Sequence, residues 1–192
     1  MSKAPAHHED TRNIVIPSPT EVEAARVRSR LTDAKLDNFL TEFPIDEHYY
    51  TKTPLKDDST CRPHKTKIYV YTKIFHSGFR LLVPPEAVKI LHYYGLALAQ
   101  IQSNSWSMIL AFIVFFWRLG TTLSIDLFRR LYMLNKANSS IKSIPKSGWY
   151  FFNKQPQAFE MLSRKRNKVP PWLHKFLFMG RNDMKPMPLV NV

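Results

Sequence analysis

The chain has 192 residues, 44% hydrophobic and 22% charged, with 14 Pro and only 5 Gly, which leaves room for one sizeable core and excludes both a wholly disordered tail and a large multidomain enzyme. Its 28 Lys and Arg against 15 Asp and Glu give +13, a surplus that favours polyanions such as nucleic acid or anionic membrane. Residues 1–60 hold eight basic and eleven acidic side chains and residues 61–192 hold twenty and four, so the basic character belongs to the body.

Residues 1–18 read as a disordered tail with no apolar run behind a charged start, hence neither a secretory signal nor an anchor. A helical arm is expected over 19–45. Thr20 is its N-cap, with Glu23 at capping-box spacing. Thr32-Asp33 restarts the pattern and places Leu31, Leu36, Phe39 and Leu40 on one stripe before Pro44 ends it. The Thr, Lys, Asp, Pro and Ser of 46–66 predict a linker loop. It contains the lone cysteine, Cys61, which has no internal disulfide partner and reads as a solvated thiol in a reducing compartment.

A body domain is expected over 67–180, with a tail at 181–192. Lys67 to Thr72 is β-branched and aromatic with alternating polarity, the pattern of a strand, and Ser77-Gly78 closes it. Phe79 to Val83 reads as a second extended piece. Pro84-Pro85-Glu86 opens a helix that runs to Tyr94, with Gly95 as its left-handed terminal residue. Ser103-Asn104-Ser105 offers N-cap oxygens for a helix over Trp106 to Leu119, stopped by Gly120. Within it Met108 to Trp117 is wholly apolar, far short of the roughly 20 residues a membrane span needs, and predicts a helix buried on all sides. Ser124 caps a third helix, Ile125 to Leu134, followed by a polar loop to Ser147. Gly148 to Phe152 and Trp172 to Met179 read as the last strands. The expected class is α+β: a three-helix core with a small, mostly antiparallel sheet, preceded by the helical arm.

Several of these segments carry more than their physics. Arg80-Leu81-Leu82-Val83-Pro84, Leu91 to Ile101 and Asn104-Ser105-Trp106 closely resemble the plant gypsy-type transposon domain family. Phe112-Ile113, Leu119-Gly120, Ser124 to Phe128, Gly148 to Phe152 and Trp172 to Phe178 follow in the same order, so the resemblance runs from about Lys67 to Met179. It marks Gly95, Gln100, Asn104, Trp106, Gly120, Gly148, Trp149 and Trp172 as the family's structural positions, with Leu98 standing where the family tends to have proline. The resemblance implies an origin in retroelement reading frames. It implies no reaction and matches no catalytic residue.

Direct tests for chemistry agree. A transposase needs carboxylates converging on two divalent metals. Asp126 and Glu160 have a suitable separation, but Asp126 already has a sufficient role in a first helical turn, so chance spacing is the better reading. Polymerase, aspartic-protease and zinc-knuckle signatures are absent, and with one cysteine and seven scattered histidines neither a metal site nor a cofactor is expected.

The strongest functional signal is Arg164-Lys165-Arg166-Asn167-Lys168, four cations in five positions, with Lys175 beyond it and Lys154, Arg181 and Lys185 nearby. Three readings stand: RNA or DNA bound without sequence preference, a nuclear import address, or a solvated loop. Trp149, Tyr150, Phe151, Phe152, Trp172 and Phe176 would stack bases if they point outward. A rival reading is a protein-interaction module, whose acidic arm docks on the body or on a second copy and whose positive face meets an acidic partner. No membrane partner is expected. The expected location is intracellular, nuclear if 164–168 is an import address and otherwise cytoplasmic.

Overall fold

The structure, a computed structural model, describes residues 23–55, 58, 60, 67–139, 147–159, 171–183 and 185, with Pro171 and Trp172 described by backbone alone. The expected tail 1–18, the Thr20 cap, Cys61, Glu160 and the run Arg164, Lys165, Arg166 and Lys168 all lie outside the described residues.

The first described element is a 3-10 turn, Glu23–Ala25, and the arm helix is α1, Asp33–Glu42. Then come strands β1 (Tyr49–Lys52) and β2 (Lys67–Tyr71) and helices α2 (Thr72–His76), α3 (Pro85–Tyr93), α4 (Ser103–Arg118) and α5 (Ile125–Leu131). Strands β3 (Tyr132–Lys136), β4 (Tyr150–Lys154) and β5 (Phe176–Arg181) complete the fold. The α+β class holds, but the strands form two small antiparallel sheets: β1-β5-β2, and β3 with β4.

Helices α3 and α4 stop as their glycines predict. Gly95 (φ 61°) and Gly120 (φ 62°) each adopt the left-handed conformation that reverses the chain. The amides that follow return to the helix: Leu96 N–H donates to Leu91 O at 3.0 Å, and Thr121 N–H to Phe116 O at 3.1 Å. The side chain that caps α5 is Ser124, whose Oγ accepts from Leu127 N–H at 3.1 Å.

The main core lies between the helices and both sheets. Phe128 sits at its centre, edge-on to Phe112 at 5.1 Å and to Phe152 at 5.0 Å. Ser105 Oγ, buried, accepts from Phe152 N–H at 2.8 Å and ties α4 to β4. Leu36 and Phe39 bring the arm helix into this same core, where Phe39 meets Phe75 edge-on at 5.0 Å. A second, smaller cluster covers the opposite face of β1-β5-β2: Ala24 and Val27 close over Tyr69, Tyr71, Phe176 and Trp149.

Four segment assignments are corrected. Tyr49–Lys52, inside the expected linker, is an edge strand, paired to β5 through Tyr50↔Gly180 and Lys52↔Phe178. Phe79 to Val83 has no ladder partner among the described residues; after β2 the chain turns into α2, and Arg80 Nη1 donates to Phe79 O at 2.7 Å. The third helix ends at Leu131, because 132–136 pairs with β4: the Leu131–Leu134 spacing suits a helix, the Tyr132–Leu134 spacing suits a strand, and the partner decides. Residues 171–174 form a 3-10 turn, so the last strand starts only at Phe176.

Helix α4 is not buried on all sides. Trp106, Ile109 and Phe112 face the core, while Val114, Phe115, Trp117 and Leu119 are exposed, Trp117 at 77%. An unbroken apolar run has no periodicity from which the outer face can be read.

Candidate nucleic-acid interface

The one described member of the expected cationic set is Lys175, exposed at the junction between the 171–174 turn and β5. Its carbonyl accepts from Thr72 N–H at 3.0 Å, which fixes the backbone under the side chain. The neighbouring cations are occupied. Arg181 makes a two-pronged contact with Asp183, Nε to Oδ1 at 2.8 Å and Nη2 to Oδ2 at 2.6 Å, and Lys185 Nζ lies 3.6 Å from the same carboxylate. That guanidinium, helped by the Lys185 amide, holds the Asp183 carboxyl well below the usual carboxylate range. Lys154 Nζ donates to Ala158 O at 2.6 Å.

What the structure adds is a set of arginines that the charge count had assigned to the acidic attachment. The stretch 26–30 is stitched along the start of β5: Ser29 Oγ donates to Phe176 O at 2.7 Å, Arg30 N–H to His174 O at 2.7 Å, and His174 Nδ1–H to Arg28 O at 3.1 Å. Val27 points into the second cluster, and Arg26, Arg28 and Arg30 are exposed. None of the three has an ion-pair partner among the described residues. Three arginines and Lys175 thus share one tethered strip of surface. The Arg-Val-Arg-Ser-Arg alternation was visible in the sequence as a period of two, the signature of an extended segment with one charged side.

The aromatic residues expected to stack bases do not form such a surface. Trp149, Tyr150, Phe152 and Phe176 are buried and Phe151 is half-buried, because alternate members of β4 and β5 fill the two clusters. The side chain of Trp172 lies outside the described residues. Trp149 instead donates its indole N–H to the Tyr71 hydroxyl at 3.1 Å.

Of the family positions, Gly95 and Gly120 end helices, and Gly148 turns the chain into β4 with φ 84°. Gln100 Oε1 accepts from Ala97 N–H at 2.9 Å. Trp106 is fully buried, while Asn104 is exposed on the first turn of α4. Asp126 lies 3.6 Å from Arg129, an ordinary surface pair. Among the described residues no group of three or more His, Cys, Asp or Glu side chains could hold a metal ion, and no helix is long and apolar enough to cross a membrane.

No curated protein and no solved structure matches the chain. A family model does match, over β2 to β3, a segment that contains Gly95, Gln100, Asn104, Trp106 and Gly120 and excludes Gly148, Trp149, Trp172 and the cationic strip. The resemblance read from the sequence is thus shown over residues 68–136, which match the family described as "Putative gypsy type transposon".

Proposed function

We propose that the chain is a non-catalytic module of gypsy-type transposon descent that contacts nucleic acid, without sequence preference, through its basic C-terminal side. The observation that carries this reading is the strip of Arg26, Arg28, Arg30 and Lys175, cations without carboxylate partners among the described residues, on a backbone fixed by hydrogen bonds to 174–176. In the sequence, the run Arg164, Lys165, Arg166 and Lys168 lies two residues upstream of this turn and adds four further positive charges.

Fluorescence anisotropy of labelled oligonucleotides across a salt series tests it, on the natural chain and on two variants. One changes Arg26, Arg28 and Arg30 to Gln, the other Arg164, Lys165, Arg166 and Lys168. Counterion release ties each phosphate contact to a log–log salt slope of about −0.9 on duplexes and about −0.7 on single strands, so each variant should flatten the slope by roughly two to four. Unchanged slopes in both variants overturn the reading.

A second reading, a protein-interaction module, is favoured by the apolar ridge of α4. Exposed Phe115 and Phe159 lie 5.5 Å apart, beside exposed Trp117 and Leu119. Sedimentation of the natural chain against Trp117→Ser tests that surface: self-association lost in the variant supports it, and a monomer in both removes a second copy as its partner.

A further inference from the structure

Among the described residues, the outer face of β1-β5-β2 divides into a buried and a half-exposed part. In an antiparallel ladder, directly paired residues project to the same face. One row on this face is therefore Tyr50, Gly180 and Lys67, and the next is Lys52, Phe178 and Tyr69. Ala24 and Val27 cover Tyr69, Tyr71 and Phe176, and among the described residues this cover ends at Phe178, which packs against the same cluster and is half-buried like Tyr50 and Lys67. Lys52 is exposed.

The side chains confirm the register. Phe178 lies 4.2 Å from Tyr69, with the rings tilted by 37°, and Lys67 Nζ stands 5.7 Å from the Phe178 ring centre. Gly180 lets the Tyr50 ring lie on the strand itself, since a Cβ there would come within 2.6 Å of the ring. No carboxylate stands in either row.

We infer that this patch, Tyr50 and Phe178 flanked by Lys52 and Lys67, is a stacking surface for the bases of a single-stranded nucleic acid. The inference rests on the nucleic-acid reading above and specifies its ligand class. Rings lying on a sheet offer π-faces to successive bases, and ammonium groups beside them meet the phosphates. A duplex, whose bases are already stacked, gains the charge contacts and not the rings. The sheet that bears the patch also contains Phe176, to which the arginine segment is tied.

The test measures affinity for oligouridine, oligothymidine and a duplex with the natural chain, Tyr50→Leu, Phe178→Leu and Lys52→Gln/Lys67→Gln, each checked for folding by circular dichroism. Each ring variant should lose roughly ten-fold in single-strand affinity with its salt slope unchanged, and leave duplex affinity intact. Ultraviolet crosslinking of oligouridine to the natural chain should mark the peptides bearing Tyr50 or Phe178. If Phe178→Leu fails to fold, Tyr50→Leu on the edge strand and the crosslink map decide. Wild-type affinity in the ring variants, with crosslinks elsewhere, overturns the stacking surface and leaves the arginine strip standing. Absence of any binding by the natural chain overturns both. Oligouridine and oligothymidine, compared, separate RNA from DNA.

Discussion

The indole N–H of Trp149 donates to the hydroxyl of Tyr71 at 3.1 Å, 78 residues away in sequence, and joins the entrance of one sheet to the last residue of a strand in the other. Both side chains are buried, so the bond forms where water cannot replace it. Trp149→Phe keeps most of the ring and removes the donor. The expected loss is about 1 kcal/mol for the bond, plus a smaller packing term, read as a lower urea midpoint with an unchanged slope.

Helix α5 has only seven residues and depends on its first turn. The Ser124 hydroxyl satisfies Leu127 N–H at 3.1 Å, and Ser124→Ala removes it. Thermal unfolding should show a loss of about 1 kcal/mol, with Ser124→Asp close to wild type.

Two aromatic residues on α4 separate its faces. Phe112 is 1% exposed and Trp117 is 77% exposed. Phe112→Ala should cost about 3–5 kcal/mol, a large part of the stability of an ordinary domain, whereas Trp117→Ser should stay within about 0.5 kcal/mol. Equal costs would mean that α4 is enclosed on every side, as its composition had suggested.

Burial pushes the Tyr94 and Tyr132 phenols up to about 12, with the neighbouring Tyr93 adding to the Tyr94 shift and Arg129 opposing it. An unfolded tyrosine ionises near pH 10. Above that pH the unfolded chain releases protons that the folded chain retains, so stability is full below about pH 10 and falls as pH rises toward 12. Urea midpoints should drop between pH 9 and pH 11, and ultraviolet titration should show Tyr94 and Tyr132 among the late-ionising phenols, with Tyr150 also shifted up by burial. Tyr94→Phe should reduce the drop.

Much of the fold was legible because local signals and tertiary packing agree. The Lys67 strand alternates, Pro85 opens a helix, Gly95 and Gly120 stop two, and Ser124 caps another. Legibility failed where pairing decides. Tyr49–Lys52 is too short and polar to announce a strand, and becomes one because β5 has a free edge beside β2. Tyr132–Lys136 carries apolar residues at both helical and strand spacing. The functional surface was less legible still. A charge count by halves of the chain hides Arg26, Arg28 and Arg30 among acidic neighbours, and only the hydrogen bonds to 174–176 place them beside Lys175.

The most direct measurement is the affinity of the natural chain for a single-stranded oligonucleotide, followed from low to physiological salt. Binding that weakens linearly on a log–log plot, with a slope equivalent to several phosphates, is the expected result. No binding at low salt, or binding indifferent to salt, contradicts a nucleic-acid role for the basic face.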